Sequence, residues 1–423
     1  MSPLPLSLLF TAALLLSLLT QFWLAGRQMR HVAAHRGAVP AAFAATIGLA
    51  AHQRAADYTL AKGRFGLLSS AASAAVLLGW TLLGGLDALN SLVLQLLPPA
   101  WGSLAYQLAL LSGFALVGAL LGLPFELYNT FRIEQRFGFN RSSWRLFVAD
   151  QFKGAAVGAL IGLPLAALVL WLMGASGGLW WLWAWGAWVL FNLLIMVVYP
   201  TLIAPLFNKF EPLADAALAE RVRGLMQRCG FAAKGLFVMD GSRRSAHGNA
   251  YFTGLGAAKR VVFYDTLLAK LQAGEVEAVL AHELGHFKHK HITQRIVMVF
   301  ALSLGALALL GWLASQPAFY LGLGVQPNLD APNDALALML FMLVLPVFTF
   351  FSSPLAARLS RKHEFQADAY ACAQSSGADL ASALLKLYED NAATLTPDPV
   401  YARFYYSHPP ASERLAALPL RPV

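Results

Sequence analysis

Cysteine and charged residues are both scarce in this sequence, and each scarcity excludes a class of protein. The 423 residues include only 2 cysteines. Because Cys229 and Cys372 are far apart in the chain, neither a disulfide framework nor a cysteine-based metal site is expected. Charged residues make up 13% of the chain against 58% hydrophobic residues, and the mean hydropathy is +0.58. A soluble protein needs far more charged surface, so the composition predicts a polytopic membrane protein.

The net charge of +9 raises the question of a nucleic-acid partner. The basic residues, however, cluster beside the apolar segments, where lipid headgroups and membrane topology account for them. We therefore expect contact with membrane lipids and no nucleic-acid partner.

Seven apolar stretches are long enough to cross a membrane, since a spanning helix needs about 20 mostly apolar residues. The first is expected to be a retained helix rather than a cleaved signal, because Phe22, Trp23 and Leu24 stand where a small-residue cleavage site would be. The stretches are residues 5–25, 65–86, 104–125, 155–174, 179–203, 295–315 and 335–357.

The charge of the connecting segments predicts the orientation. Segments after the first and third stretches are rich in Lys and Arg, whereas residues 87–103, 175–178 and 316–334 contain neither. Because basic loops stay on the cytoplasmic side, we expect the N-terminus outside and the C-terminus in the cytosol. The membrane is expected to be the bacterial inner membrane, with the endoplasmic reticulum membrane as the alternative.

Two polar regions remain, residues 205–294 and 358–423, and both fall on the predicted cytosolic side. Their periodicity indicates three helices and three short strands. The predicted helices are Ala214–Cys229, Glu275–His289 and Arg361–Ala373, and the predicted strands are Gly235–Asp240, Ala250–Gly254 and Arg260–Tyr264.

The first polar region contains the pattern HExxH. On a helix, His282 and His286 lie four residues apart on one face, so both imidazoles can bind one ion. The intervening Glu283 projects about 100° round the axis, where it could take a proton from water whose pKa a zinc ion lowers to about 7. A helix with solvated histidines is the alternative, but the apolar residues before the motif favour a buried helix.

The second polar region offers a third ligand, which a catalytic zinc site usually has. Glu364 is the best candidate. Asp368, four residues later on the same helical face, could accept a hydrogen bond from the non-ligating nitrogen of a zinc-bound histidine. Arg361 could pair with a carboxylate in the site. The alternative is an ordinary amphipathic helix with an Arg–Glu pair.

His289 and His291 lie close to the motif and are rival ligands. The neighbouring Lys288 and Lys290 favour a solvated or headgroup-facing position for both. We therefore predict four parts: transmembrane helices 1–5 (1–204), a catalytic region (205–294), transmembrane helices 6–7 (295–357) and a C-terminal region that supplies the third ligand (358–423).

With these motifs, the chain resembles the Ste24 family of integral-membrane zinc metalloproteases, the M48-type CAAX prenyl proteases. The likeness extends over nearly the whole chain. The matching segments are Gly138–Arg141, Phe207–Phe210, Asp240–Ser245, His247–Gly254, Val279–His289, Ser360–Asp368 and Ser407–Pro410.

The resemblance implies a fold and an activity. The fold is an all-α polytopic membrane protein with seven helices around a chamber and a cytosolic α+β zinc metalloprotease domain. The activity is cleavage of peptides near the C-terminus, including prenylated CAAX tails, with broader quality control in some members. One zinc ion per chain would be held by His282, His286 and Glu364, with Glu283 as the general base.

The resemblance also implies residues that meet the substrate. His408 and Asn249 look like positions that contact the substrate or the tetrahedral intermediate. Asn249, Ala250 and Tyr251 lie on an expected strand edge that could pair with an extended peptide. A loop histidine before two prolines, and ordinary turn chemistry at Asn249, are the alternatives.

Other architectures fit the sequence less well. A site-2 protease carries HExxH inside a transmembrane segment, whereas here the motif precedes the sixth apolar stretch. The heat-shock proteases of the same clan also contain HExxH, but they are shorter and have four spans rather than seven. A transporter would need charged residues within the spans. A non-catalytic module in which zinc only joins two helices has no need of Glu283, so a Glu283→Gln variant distinguishes it from a protease.

Overall fold

The computed structural model describes residues 2–232, 234–253 and 259–418. In this part of the chain there are seventeen α-helices and four strands. The helices are α1 (Pro3–Ala34), α2 (Leu49–Trp80), α3 (Gly85–Leu96), α4 (Gly102–Tyr128), α5 (Trp144–Ala175), α6 (Trp180–Val198), α7 (Ala204–Phe207), α8 (Ala216–Arg228), α9 (Asp265–Leu268), α10 (Ala273–Lys288), α11 (His291–Leu313), α12 (Pro317–Gly322), α13 (Asp334–Thr349), α14 (Ser353–Gln374), α15 (Gly377–Asp390), α16 (Pro399–Tyr405) and α17 (Ala411–Ala417). The strands are β1 (Phe210–Pro212), β2 (Leu236–Met239), β3 (Ala250–Thr253) and β4 (Arg260–Tyr264).

Most of the helical mass is long and apolar enough to cross a membrane. Six helical runs qualify within the described residues, and the bent pair α2 and α3 supplies a seventh. In five of the six runs, at most 22% of the most apolar stretch is buried, so most of these apolar side chains are not covered by the rest of the protein. The expectation of an all-α polytopic membrane protein is confirmed. The runs are Pro3–Ala34, Pro99–Glu134, Trp144–Ala175, Gly177–Phe207, His291–Leu313 and Asp334–Gln374.

The second span differs from the straight segment predicted over residues 65–86. Helix α2 starts earlier, at Leu49, and the chain then bends by 52° into α3. Gly84 adopts a left-handed φ of 79° at the bend, which glycine does without steric cost. A Cβ at Gly85 would clash with the carbonyl oxygen of Gly79. These glycines make the bend possible, and the hydropathy pattern does not reveal it.

Helix α13 lies at the centre of the membrane region. Eight of its residues are buried, including Leu336 and Leu340, and they join an apolar cluster with residues of α1, α3, α4 and α5. Since lipid tails are as apolar as these side chains, close packing rather than water exclusion favours this arrangement.

The four strands form one small sheet in the order β1–β2–β4–β3. Strands β2 and β4 are parallel, and the other two pairs are antiparallel. The prediction for β4 is confirmed, β2 is shorter than predicted, and Gly254, the predicted end of β3, lies outside the described residues. Strand β3 is an edge strand. The sheet packs with α8, α10 and α15 around a second apolar core.

Polar contacts join this second core to the membrane helices. Arg244 forms a two-point ion pair with Asp150 of α5, at 2.8 and 2.9 Å. The ring of His247 stacks on Phe139, with centroids 4.2 Å apart. Two of the segments that carry the family resemblance thus hold the extramembrane region against the helices.

Helices α10 and α14 are extensions of spanning helices. Two residues separate α10 from α11, and the second of them, Lys290, has a left-handed φ of 56°. Helix α14 follows α13 through a single 3₁₀ turn, Phe350–Ser352. The HExxH pair therefore precedes one span, and Glu364 follows another.

Candidate metal centre

Helix α10 has a strong start and a buried face. Gln272 and Glu275 form a capping box, which satisfies backbone N–H groups that a helix start leaves unpaired. The Glu275 carboxylate also accepts hydrogen bonds from Ser382 at 2.6 Å and Lys386 at 2.7 Å. Nine of the sixteen α10 residues are buried. The helix that carries HExxH is therefore held by its N-terminal cap, by hydrogen bonds from α15 and by its buried face.

A glycine inside the motif brings α10 and α14 into backbone contact. A Cβ at Gly285 would lie 2.8 Å from the Cα of Ala367 and 3.0 Å from its carbonyl oxygen. Ala367 itself is fully buried. The small residue on each helix thus permits the close crossing that carries Glu364 to the two histidines.

The side chains of His282, His286 and Glu364 converge on one point. All three ligand atoms lie within 4.8 Å of one another. The Nε2 atoms of the two histidines are 3.2 Å apart, and the Glu364 oxygens lie 3.5 Å from His282 Nε2 and 3.3 Å from His286 Nε2. Ligand atoms about 2.0–2.1 Å from a tetrahedral ion lie about 3.3 Å from each other. The spacing fits a tetrahedral metal ion.

Charge and unmet hydrogen bonding also fit a cation. Glu364 Oε2 is buried and accepts no hydrogen bond from the described residues. Three carboxylates, from Glu283, Glu364 and Asp368, and one guanidinium, from Arg414, lie in or next to the site. With both histidines neutral, as metal binding requires, the site holds two more negative than positive charges, which a divalent ion would balance.

His282 is supported by a charged pair. Its Nδ1 lies 2.8 Å from Asp368 Oδ1, and Arg414 donates to both Asp368 oxygens at 2.6 and 2.7 Å. All three side chains are buried. Burial alone would lower the pKa of His282, but hydrogen bonds to Asp368 and Glu364 raise it to about 9. The site favours positive charge at this position.

His286 is supported by neutral groups. Its Nδ1 lies 3.0 Å from His291 Nδ1, and His291 Nε2 lies 3.0 Å from Gln366 Oε1. If His291 Nε2–H donates to Gln366, His291 Nδ1 is an acceptor for His286 Nδ1–H. This assignment leaves a lone pair on His286 Nε2, facing the other ligand atoms. His291 also stacks on His363 at 3.9 Å.

Among the residues that the structure describes, Arg361 pairs with no carboxylate of the site, so the prediction of such a pair is wrong. Its guanidinium donates to the carbonyl oxygens of Ala402, Arg403 and Tyr406 at 2.6–3.3 Å. These carbonyls belong to the end of α16, where a helix leaves acceptors unpaired. Arg361 therefore anchors the segment that leads to His408 rather than the metal ligands.

A cavity of about 360 Å³ opens at the ligands. Glu283, Asn249 and His408 line it together with His282 and Glu364. His408 Nε2 lies 3.5 Å from Glu364 Oε1, and its side chain is 63% exposed. One wall is apolar, formed by Leu267, Val279, Leu380, Leu384 and Leu387.

A second cavity of about 580 Å³ adjoins the first and shares Tyr388, Asn391, Ala393 and His408 with it. It extends between α1 and α2 and is lined by many polar and tyrosine side chains. The route from the metal centre therefore leads between membrane helices.

Strand β3 presents an open edge beside the first cavity. The Asn249 carbonyl accepts from Tyr264 N at 2.9 Å, and the alternation of an antiparallel ladder then turns the peptide groups of Ala250 and Phe252 outward. Asn249 Oδ1 accepts from Ala250 N at 2.8 Å, which leaves its NH₂ group as the available donor. Tyr251, which was also expected to meet the substrate, is not among the residues that line this cavity in the described part of the chain. Its ring lies 6.1 Å from that of Tyr264.

Two residues close to the ligands are not identified by the sequence analysis. Arg414 is buried and contacts Asp368. Its short helix also contains Ser412 and Glu413, so the sequence gives no signal that Arg414 is buried. His291 is weighed above only as a ligand, and the lysine beside it argues for solvent exposure. The structure buries His291 and leaves Lys290 exposed.

Comparisons with known proteins agree with this arrangement. Residues 28–209 match the family model described as "CAAX prenyl protease N-terminal, five membrane helices", and residues 212–421 match the model of peptidase family M48. Together the two models cover most of the chain, and the second one contains all three ligand positions.

Individual relatives and a solved structure give the same result. The chain is 37% identical over 315 residues to a CAAX prenyl protease 1 homolog of Arabidopsis thaliana, covering 74% of this chain and 73% of the relative. It is 33% identical over 330 residues to CAAX prenyl protease 1 of Saccharomyces cerevisiae, covering 75% and 72%. The crystal structure of S. mikatae Ste24p superposes with a TM-score of 0.90 at 29% identity, covering 98% of this chain and 99% of that one.

Proposed function

The chain belongs to peptidase family M48 and is an integral-membrane metalloprotease; from this premise we propose how its own residues carry out peptide hydrolysis. His282, His286 and Glu364 hold a single zinc ion. The spacing of their ligand atoms and the excess of negative charge support this assignment. When bound, the ion supplies a Lewis acid that polarises a carbonyl group and acidifies water.

Glu283 acts as the general base. It lines the cavity together with His282 and Glu364, and it is not among the buried residues of α10. Its carboxylate accepts a proton from the attacking water, and the same group then donates that proton to the amide nitrogen that leaves.

Asn249 and His408 stabilise the developing oxyanion. The NH₂ group of Asn249 and an imidazole N–H of His408 both reach the cavity, and fixed donors aimed at growing negative charge lower the barrier. Because Arg361 anchors Tyr406, it positions His408 from a distance. Asp368 fixes the ring of His282, which is the role that carboxylates commonly have next to metal-bound histidines.

The substrate is a peptide that lies along the open edge of β3. The outward peptide groups of Ala250 and Phe252 form hydrogen bonds with an extended substrate chain. A substrate carbonyl then replaces Asn249 Oδ1 as the acceptor of the Ala250 N–H. The leucine-rich wall accepts an apolar side chain near the cleaved bond. The adjoining cavity between α1 and α2 accommodates the rest of a C-terminal segment, with or without a prenyl group.

The distribution of basic residues supports an orientation with the metal centre on the cytosolic side, in a bacterial inner membrane or the endoplasmic reticulum membrane. Labelling of single cysteines introduced at the two termini in sealed vesicles checks the orientation. Accessibility of the C-terminal cysteine from the non-cytosolic side would contradict it.

The observation that carries the enzymatic proposal is that Glu283 lines the same cavity as His282 and Glu364, two members of the convergent ligand group. Glu283→Gln is expected to keep one zinc ion per chain and to lower peptide hydrolysis by about 10³-fold, within the usual contribution of a general base. Glu220→Gln, an exposed carboxylate on α8, is the matched control. Equal hydrolysis by both variants would refute the assignment.

Product analysis by mass spectrometry on paired peptides, with and without a prenyl group, determines the substrate class. Preference for the prenylated peptide identifies a CAAX-type protease. Equal cleavage of both peptides indicates broader quality-control proteolysis at the same site.

A further inference from the structure

A third cavity lies far from the metal ligands in sequence. It has a volume of about 750 Å³ and is bounded by α2, the end of α4 and the π-helical turn Asn129–Glu134. None of its lining residues lines the two cavities described above. Its lining combines arginines with aromatic and aliphatic side chains.

Three guanidinium groups, from Arg64, Arg132 and Arg136, line this cavity. Within the described residues none of the three forms an ion pair or a side-chain hydrogen bond. Two carboxylates in this region are engaged by other cations, since Asp57 pairs with Arg36 and Glu134 pairs with Lys62. Asp57 also interacts electrostatically with Arg136, but the two do not form an ion pair. The cavity therefore carries a concentrated positive charge without an internal counter-ion.

The rest of the lining is apolar and opens toward lipid. Phe65 stacks on Tyr128 at 5.3 Å and lies 6.2 Å from Phe125. Leu68 is 61% exposed and Tyr128 is 53% exposed. A free phosphate ion would leave this apolar surface uncovered, whereas a phospholipid would cover it with its glycerol and acyl chains.

The cavity lies where two spans change from apolar to charged sequence. Helix α4 has no charged residue before Glu126, and α2 has none after Arg64. This boundary is the depth of the phosphate headgroups, where tyrosine is also enriched. Arginine binds phosphate oxygens through paired N–H groups. We infer that this cavity binds the phosphate headgroup of an anionic phospholipid, with its acyl chains against α2 and α4.

The test is lipid titration of the purified full-length protein in neutral detergent, with bound lipids counted by native mass spectrometry. Phosphatidylglycerol is compared with phosphatidylcholine for the parent and for an Arg64→Gln/Arg132→Gln/Arg136→Gln variant. The parent is expected to prefer phosphatidylglycerol, and the variant to bind it on the order of a hundredfold more weakly, from about fivefold per arginine.

The matched control replaces Arg30, Arg145 and Arg295, which are exposed and lie outside the cavity. It removes the same charge and is expected to keep the preference. Equal weakening in both variants would overturn the inference, because the effect would be one of net charge. Displacement of phosphatidylglycerol by excess inorganic phosphate alone would also overturn it, since the site would then be a phosphate site.

A thermal unfolding scan accompanies each variant. If the triple variant does not fold, Arg132→Gln against Arg145→Gln provides the same comparison, because both residues are exposed. The expected loss is about fivefold for Arg132→Gln alone. Equal affinity in these two variants would overturn the inference.

Discussion

The two histidines of the metal centre have different partners behind them. His282 is backed by Asp368 and Arg414, a buried charged pair that joins α14 to α17. His286 is backed by His291 and then by Gln366, both neutral. We expect the charged side to link metal binding to folding, because removing either member of the pair alone leaves the other charge buried. The neutral side fixes the tautomer of His286 and adds no charge to the site.

The largest effect is expected from breaking the charged side. Asp368→Ala leaves the buried Arg414 guanidinium with only the longer 3.6 Å contact to Glu364, and loss of a buried ion-pair partner costs about 3–5 kcal/mol of stability. The midpoint of thermal unfolding and the zinc content should both fall. A second variant, Asp368→Leu/Arg414→Met, should regain stability but not zinc affinity. If Asp368→Ala unfolds at the parental temperature, the charged pair does not link metal binding to folding.

Forcing α10 and α14 apart should weaken the support of His282 and of His286 at the same time. Gly285→Ala places a methyl group against the Ala367 backbone, and such overpacking costs about 1–3 kcal/mol. Zinc affinity, measured by chelator competition, is expected to fall in parallel. Gly154→Ala on α5, where a Cβ would meet nothing within 4 Å, is the matched control and should be neutral. Unchanged zinc affinity in Gly285→Ala would show that α10 and α14 can move apart without loss.

Breaking the neutral side should affect the metal more than the fold. His291→Phe removes the acceptor for His286 Nδ1–H, and loss of such a partner typically costs 10–100-fold in metal affinity. His291→Gln retains a side-chain oxygen and should recover part of that affinity. Chelator competition measures both variants. Equal zinc binding by the phenylalanine and glutamine variants would argue that His291 acts only through packing.

The smallest effect concerns the helix that both histidines share. Burial raises the pKa of Glu275, but bonds from Lys386, Ser382 and the Gln272 N–H outweigh it, so the pKa lies below its usual value. Because the pKa of Glu275 is lower in the folded state, its carboxylate stabilises the fold when the pH is above the unfolded-state pKa near 4.5. This stabilisation is lost as the pH falls through the folded-state pKa.

Glu275→Gln should therefore lower stability by about 1 kcal/mol at neutral pH. The difference from the parent should shrink on acidification below pH 4.5. Thermal unfolding across this range checks both statements, with the exposed Glu220→Gln as control. If the stability difference between Glu275→Gln and the parent grew on acidification, the pKa of Glu275 would have to be raised rather than lowered by folding.

The sequence reveals features that depend on local spacing. His282 and His286 share a helix face by their spacing alone, and apolar stretches of sufficient length predict membrane spans. Arg414 and His291 could not be assigned, because their contacts depend on how α17 and α11 pack against α10. Arg361 was misassigned for the same reason, since spacing on α14 gives no information about the nearby end of α16. The bend after α2 depends on backbone contacts among glycines, which hydropathy does not record.

The placement of the ligands on either side of the last two spans has a consequence for biosynthesis. A nascent chain that has emerged only as far as α11 contains both histidines of the pair but lacks the carboxylate at position 364. The peptide-cutting centre is therefore incomplete until α13 has entered the bilayer and α14 has returned to the same side.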